Sequence, residues 1–306
     1  MNKGKRKRLL FLLLVILLIE ATIVAVKFMG KNKGDDKADR RCFCQYDELI
    51  GWAGRPYAHG IMDHHWENFK FEVKNNSWGL RNLREPQSNQ KAIVIIGDSI
   101  AWGYGVNDAQ TISEKLGMLV PDQIITLAQS GYGADQQFLS LIKYQQRFRD
   151  EGIEIKNIIM ITYSGNDSQE ILCKMTYGFS KPFLSLKPGE GFTNLPVPKE
   201  IFDENTTDCL AVRGKEKVRL KSEQYGKILK MLEKKSSEFG ARLIVLVMPF
   251  KKTQEHILEV LQRLGISTIY DPKLGEKKYL IDGIHLNEEG NILAARMLAA
   301  NLAKNS

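Results

Sequence analysis

The chain has 306 residues, of which 43% are hydrophobic and 26% charged. This composition excludes a disordered or collagen-like protein and indicates one large domain or two smaller ones. Its formal net charge of +8 lies almost entirely in residues 1–41, which carry 11 Lys or Arg and 4 Asp or Glu. The rest of the chain has 33 basic and 32 acidic side chains, so no excess positive field remains to bind a nucleic acid.

The first predicted element is a membrane segment. A basic head, residues 1–8, precedes the apolar run 9–26, which is interrupted only by Glu20 and Thr22. Eighteen helical residues span about 27 Å, close to the roughly 30 Å hydrocarbon core of a bilayer. We predict an uncleaved signal anchor, which makes this a single-pass protein of the cell membrane with its large domain extracytoplasmic, periplasmic or at the cell surface. A cleaved signal peptide is the alternative.

Residues 27–90 are predicted to form a charged stalk, 27–41, followed by a small leading hairpin. Apolar and charged side chains alternate from Phe69 to Val73, which is the pattern of a half-buried strand. The same stretch contains His59 and the string Asp63-His64-His65. We interpret these histidines as part of a solvated polar loop rather than as ligands of a metal, because no matching ligand lies nearby in the sequence.

From residue 91 to residue 306 short apolar runs alternate with longer amphipathic ones. This is the pattern of βαβ units, which require a parallel sheet. The predicted strands are Ala92–Ile96, Gln123–Ala128, Asn157–Thr162, Arg242–Met248 and Ser267–Tyr270. The predicted helices are one capped by Asp135, one beginning at Ser222 and stopping at Gly240, Thr253–Leu264 and Glu288–Ala303.

Residues 168–220 interrupt this alternation with several Pro and Gly residues, which predicts an inserted loop or lid. Cys173 and Cys209 both lie in this insertion and could form a disulfide across it. Zinc binding by the four cysteines of the chain is the alternative. No Cys-x-x-Cys pair is present, and the spacing therefore does not favour zinc.

Candidate catalytic residues follow three of the predicted strands. Ser99 comes three residues after the first strand, Gly131 follows the second, and Asn166 follows the third. Because the carboxyl ends of parallel strands meet at one edge of a sheet, we expect these residues to lie together. The string from Asp282 to His285 precedes the last helix and could reach the same edge.

Together these residues have the side chains that acyl transfer requires. The hydroxyl of Ser99 is a weak nucleophile near neutral pH, and His285 could accept its proton during attack. Asp282 could hold the imidazole in one tautomer and stabilise the charge that develops on it. The main-chain N–H groups of Gly131 and Ser99 and the side-chain amide of Asn166 could bind the oxyanion.

These four blocks resemble the SGNH, or GDSL-like, hydrolases. Ser99 in G-D-S-I matches the nucleophile block of that family, Gly131 in Q-S-G-Y-G the second block, and Asn166 in S-G-N-D the third. Asp282 and His285 in D-G-I-H-L match the last block. The resemblance implies a flavodoxin-like three-layer α/β/α domain with a five-stranded parallel sheet, and it implies no metal and no organic cofactor.

The extent of the resemblance is about residues 75–303, with the insertion as the main interruption. The string N-N-S-W-G-L-R at residues 75–81 is similar to bacterial membrane-anchored members near extracellular polysaccharide pathways. Four aromatic residues near the blocks could stack on a sugar or line an acyl pocket, and core packing is the alternative for them. They are Trp102, Tyr104, Tyr132 and Tyr163.

The leading functional expectation is a serine esterase that removes O-acyl groups, above all acetyl, from a cell-surface carbohydrate. An O-acyltransferase of extracellular polysaccharide, a lipid esterase and a non-catalytic glycan-binding scaffold are the alternatives. The expected partners are an acylated carbohydrate or lipid as substrate, and the membrane through the N-terminal helix. No nucleic acid is expected as a partner.

Overall fold

The computed structural model describes residues 43–64, 69–163, 167–187, 189–203, 205–249 and 255–304. The predicted head and membrane segment, the stalk of residues 27–41, and Asn166 lie outside these ranges. Among the described residues, no helix has the length and apolar character that crossing a bilayer requires.

Fourteen strands and seven helices are named here in chain order. The strands are β1 (Cys44–Asp47), β2 (Gly51–Gly54), β3 (His59–His64), β4 (Phe69–Lys74), β5 (Lys91–Gly97), β6 (Gln123–Thr126), β7 (Glu154–Tyr163), β8 (Cys173–Thr176), β9 (Phe179–Ser180), β10 (Phe183–Leu184), β11 (Phe192–Thr193), β12 (Asp208–Cys209), β13 (Arg242–Met248) and β14 (Ser267–Tyr270). The helices are α1 (Ser99–Trp102), α2 (Ile112–Gly117), α3 (Ala134–Asp150), α4 (Asp167–Glu170), α5 (Gly214–Glu238), α6 (Glu255–Leu264) and α7 (Glu288–Ala303).

The central sheet has five parallel strands in the order β14-β13-β7-β5-β6. The predicted α/β class and the five-stranded parallel sheet are therefore confirmed. After β5 the chain forms β6 at one edge and then crosses to β7 on the other side of β5. Such a reversal opens a crevice beyond the carboxyl ends of the strands, and here the crevice lies beside β5.

The sheet is covered by helices on both faces, because its strands are apolar on both faces. In β5, Ala92, Val94 and Ile96 belong to the core that includes α3, α5 and α6. The alternating residues Ile93 and Ile95 belong to the second core, which includes α1, α2 and α7. A strand buried on both faces is a continuous apolar run, and this is why the sequence pattern located all five strands.

The N-terminal part contains two hairpins, β1–β2 and β3–β4, rather than one. The interpretation of His59–His64 as a solvated loop is wrong, because these residues form strand β3. Strand β3 pairs with β4, whose Phe71 and Val73 are buried in the second core. The sequence did not predict β3 because its composition is polar. A strand of a surface hairpin can be polar, since one of its faces remains in water.

The predicted insertion, residues 168–220, is built of short elements as far as residue 213. Strands β12, β8 and β9 form one small sheet, and β10 and β11 form a hairpin. A disulfide joins Cys173 to Cys209, as the sequence had suggested. Helix α5 begins at Gly214, eight residues before the predicted start at Ser222. The first turns of α5 are mostly exposed and polar, so they carry no apolar periodicity that would reveal them.

Candidate active site

The turn between β5 and α1 presents Ser99 at the carboxyl end of the central strand. The Oδ1 atom of Asp98 accepts a hydrogen bond of 2.9 Å from the main-chain N–H of Ile100 and so caps the one-turn helix that Ser99 begins. Gly97 allows the chain to turn this tightly, because a Cβ there would lie 2.4 Å from the Cβ of Ala101. The first two residues of the G-D-S string therefore have structural roles: Gly97 permits the tight turn and Asp98 caps the helix.

The structure brings Ser99, His285 and Asp282 together in a line of hydrogen bonds. The distance from Ser99 Oγ to His285 Nε2 is 2.8 Å, and that from His285 Nδ1 to Asp282 Oδ2 is 2.5 Å. The imidazole is largely buried, as is the carboxylate beside it. This arrangement can pass a proton from the hydroxyl to the ring while the carboxylate stabilises the imidazolium.

The loop that carries His285 is fixed by Asp282 and by a short antiparallel bridge. The Oδ1 atom of Asp282 accepts hydrogen bonds from the main-chain N–H groups of Ile284, at 2.9 Å, and of His285, at 2.8 Å. Leu280 pairs with Leu286 across the loop. Burial opposes ionisation of Asp282, but its hydrogen bonds with His285, the charge of that ring and the N–H of Ile284 lower its pKa to about 2.

Arg81 supports the segment that follows Ser99. Its guanidinium is almost fully buried, its Nε donates to Asp108 Oδ1 at 2.7 Å, and its two Nη atoms donate to four main-chain carbonyls. Those carbonyls belong to Glu72, Trp102, Gly103 and Val106. The arginine of the N-N-S-W-G-L-R string thus holds α1 and the chain after it in place.

Gly131 follows β6, lies near the insertion and has a φ of +80°. A Cβ at this position would lie 3.1 Å from the ring of Tyr177 and 3.5 Å from that of Trp52. The indole N–H of Trp52 donates to the carbonyl of Ser130 at 3.2 Å, which holds the loop against the N-terminal hairpin. Both the positive φ and the two rings favour glycine here. Asn166, the other predicted side-chain donor, lies outside the described residues.

Buried charged groups lie behind the Gly131 loop, and sequence reasoning missed their connections. Asp135 was predicted as a helix cap, but it lies in the first turn of α3, where its Oδ2 pairs with Lys181 Nζ at 2.5 Å. Neither side chain is exposed. Asp167 accepts from Gln137 Nε2 and from the N–H of Tyr163, each at 2.6 Å. Burial raises the pKa of both Asp135 and Asp167.

The four aromatic residues singled out in the sequence have different positions. Trp102, Tyr132 and Tyr163 are at most 7% exposed and pack in the core. Tyr104 contacts the candidate site, with its ring centroid 4.5 Å from that of His285. Tyr177 in the insertion is the aromatic residue that the sequence pattern missed, because it belongs to none of the four blocks.

Comparisons with known proteins give structural similarity only. No family model and no curated protein matches the chain. A protein of the G-D-S-L family from Desulfitobacterium hafniense is 14% identical, with a TM-score of 0.41, over 68% of this chain and 98% of that one. A family two carbohydrate esterase from Cellvibrio japonicus is 12% identical, with a TM-score of 0.39, over 72% of this chain and 62% of that one. An SGNH protein from Slackia heliotrinireducens is 14% identical, with a TM-score of 0.39, over 70% of this chain and all of that one. Two of these three structures, those from Desulfitobacterium hafniense and Slackia heliotrinireducens, are named as members of the family that the sequence blocks resemble.

Proposed function

We propose that the chain is an SGNH-type serine esterase that removes O-acyl groups, above all acetyl, from a cell-surface carbohydrate. The observation that carries the proposal is the 2.8 Å contact between Ser99 Oγ and His285 Nε2, with Asp282 Oδ2 behind the ring. We further propose that residues 9–26 anchor the protein in the cell membrane with this site on the extracytoplasmic side. The disulfide between Cys173 and Cys209 supports that side, because disulfides persist in oxidising compartments.

The proposed reaction has two halves. In the first, Ser99 Oγ attacks the ester carbonyl carbon, its proton passes to His285 Nε2, and the carbonyl oxygen becomes an oxyanion. The oxyanion collapses, the bond to the alcohol oxygen breaks, and His285 protonates the departing alcohol. In the second half, His285 takes a proton from water, whose oxygen attacks the acyl carbon. The bond from that carbon to Ser99 Oγ then breaks, His285 returns the proton to Oγ, and the carboxylic acid leaves.

The proposed oxyanion donors are the N–H groups of Ser99 and Gly131 and the amide of Asn166. The position of Ser99 as the first residue of α1 supports its part, since the first N–H groups of a helix have no partner within the helix. A donor of this kind typically contributes about 2.7–4 kcal/mol to transition-state stabilisation.

A fluorophosphonate probe tests the proposal directly, because it reacts with an activated serine. We expect the wild-type protein to be labelled, and we expect Ser99→Ala and His285→Ala to abolish labelling with an unchanged circular dichroism spectrum. Ser237→Ala is the matched control, because Ser237 is an exposed helix serine that bonds only its own helix. Absence of labelling in the folded wild-type protein would instead favour a glycan-binding scaffold.

Product analysis then separates the enzymatic alternatives. Esters of increasing acyl length distinguish an acetyl esterase from a lipid esterase, which would prefer long chains. Reaction in the presence of an acceptor sugar distinguishes hydrolysis from transfer. Acyl incorporation into the sugar far above release of free acid would identify an O-acyltransferase and reject the esterase.

A further inference from the structure

The turn between β8 and β9 places an aromatic ring beside Gly131. Tyr177 and Gly178 form this two-residue turn, and both have positive φ angles, +53° and +75°. The ring carbons Cδ2 and Cε2 of Tyr177 lie 3.1 Å from the position that a Cβ on Gly131 would take. A bulky side chain rarely has this backbone conformation, because its Cβ crowds the following carbonyl. The surrounding structure must therefore impose it.

The rest of the insertion supplies that constraint. The N–H of Gly178 donates to the carbonyl of Thr206 at 2.9 Å, and the carbonyl of Gly178 accepts from the N–H of Phe202 at 2.8 Å. The disulfide between Cys173 and Cys209 joins β8, the strand before the turn, to its other neighbour β12. The turn is thus held from two sides in a fixed position next to the Gly131 loop.

The side chain of Tyr177 is fixed by a hydrogen bond and is partly exposed to solvent. Its hydroxyl donates a hydrogen bond of 2.6 Å to Oε1 of Glu170, which is buried. Nevertheless, 45% of the surface of Tyr177 remains exposed to solvent. A ring that is already immobilised loses little conformational entropy when a ligand stacks on it. Trp102, Tyr132 and Tyr163 offer no such surface, because they are buried.

We propose that Tyr177 is a specificity-determining residue whose ring stacks on a sugar ring of the substrate, so that the ester belongs to a carbohydrate. This inference rests on the proposed esterase function, in which Gly131 binds the carbonyl oxygen of the ester. The Tyr177 ring packs beside Gly131, so it lies near the ester carbonyl that Gly131 would bind. With only the methyl of an acetyl group on one side of that carbonyl, the alcohol portion is the part of the substrate large enough to cover the ring. A half-exposed aromatic ring suits the apolar C–H face of a sugar, whereas a lipid chain gains most from enclosure.

The test compares two acetyl esters that differ only in whether they contain a sugar. The substrates are an acetylated xylo-oligosaccharide and ethyl acetate, and the readout is kcat/KM from released acetate. We expect Tyr177→Ala to lower kcat/KM on the oligosaccharide about tenfold and to change it less than about twofold on ethyl acetate. Tyr177→Phe keeps the ring but loses the hydrogen bond to Glu170 that fixes it, so its kcat/KM on the oligosaccharide should lie between those of wild type and Tyr177→Ala, with ethyl acetate little changed. Equal loss on both substrates, or no loss on the oligosaccharide, overturns the inference.

Tyr57→Ala is the matched control, because Tyr57 is also an exposed tyrosine with a positive φ, 69% exposed and at +60°, but lies between the two N-terminal hairpins. It should leave both substrates unaffected.

A binding measurement separates failure of this inference from failure of the esterase proposal. The affinity of Ser99→Ala for the acetylated oligosaccharide is measured by calorimetry with and without Tyr177→Ala. Weaker binding in the double variant upholds the inference even where the wild-type protein hydrolyses no ester. If the two variants bind the oligosaccharide equally and the wild-type protein hydrolyses esters, the inference is overturned and the esterase proposal is retained.

Discussion

Asp282 is held in its charged form by the loop that it closes. One carboxylate oxygen accepts two main-chain N–H groups and the other faces the ring of His285. These interactions outweigh burial and lower the pKa of Asp282 to about 2. A group with this pKa is ionised throughout the usual assay range, so loss of activity on the acid side will report a group other than Asp282.

Asp282→Asn tests whether that charge serves catalysis. An amide oxygen can still accept from Ile284 and His285, but the stabilisation that lowers the pKa of the carboxylate is lost. We therefore expect the free energy of unfolding to fall by about 1–2 kcal/mol, which leaves the domain folded. Without the charge the imidazolium is not stabilised and the ring is not held in the required tautomer. We therefore expect kcat to fall about 10⁴-fold, as for a triad aspartate.

Steady-state kinetics measures the loss in kcat, and a denaturation curve measures the free energy of unfolding of the same variant. Asp271→Asn is the control, since Asp271 also accepts a main-chain N–H two residues later, at 2.9 Å from Lys273. A loss of less than tenfold in a folded Asp282→Asn protein would contradict a role of the charge in catalysis.

Among the elements, those of the sheet were predictable and those of the insertion were not. Strand β13 has the predicted bounds, because its apolar run is buried on both faces. Strand β7 begins at Glu154, three residues early, because polar residues open it. Asp135 looked like a cap because only its neighbours in sequence were considered, while its partner Lys181 lies 46 residues away. Local sequence patterns predict local contacts, whereas the Asp135–Lys181 ion pair and the Cys173–Cys209 disulfide join residues far apart in the sequence.

The same distinction applies to the candidate site. Ser99, His285 and Asp282 carry chemistry in their side chains, so their residue types and order sufficed to nominate them, and their catalytic roles remain proposals. Tyr177 and Glu170 meet through a hydrogen bond that depends on the β8–β9 turn. Their residue types alone do not predict this hydrogen bond.

Lys181→Met tests how the insertion is attached to the α/β domain. The variant leaves the carboxylate of Asp135 buried without its cation, which should lower the free energy of unfolding by about 3–5 kcal/mol at neutral pH. Burial raises the pKa of Asp135 above its usual 3.8, and losing Lys181 raises it further. The folded variant then binds a proton that the unfolded chain releases, so its stability falls as pH rises above about 4.

Urea denaturation at pH 4.5 and pH 7.5 checks both the size and the pH dependence of this loss. The difference in free energy of unfolding between wild type and Lys181→Met should be smaller at the lower pH. Adding Asp135→Asn should recover much of the loss by removing the buried charge. The control is Lys156→Met, whose partner Glu154 is more than half exposed, and it should cost less than about 1 kcal/mol. A deficit that does not vary with pH would mean that Lys181 acts through packing alone.

For the whole molecule, the charge distribution and the disulfide make one joint prediction about compartment. Residues 1–41 carry +7 of the net charge, and the apolar run 9–26 lies among them. If that run anchors the protein with its domain outside the cytoplasm, Cys173 and Cys209 meet an oxidising environment during folding. On the chain-entropy account, a bridge between residues 36 apart then stabilises the domain by about 3–4 kcal/mol.

The expected outcome is that the full-length chain, expressed in a bacterial host, remains with the membranes after alkaline extraction and carries an oxidised Cys173–Cys209 pair. Removing residues 1–26 should release the protein into the cytoplasm with the pair reduced, because the reducing enzymes there act on exposed thiols before the bridge closes. A gel shift with maleimide-polyethylene glycol, in a background with Cys42→Ala and Cys44→Ala, counts the free thiols of this one pair. Two free thiols in the full-length, membrane-bound protein would place the domain on the cytoplasmic side and reverse the proposed topology.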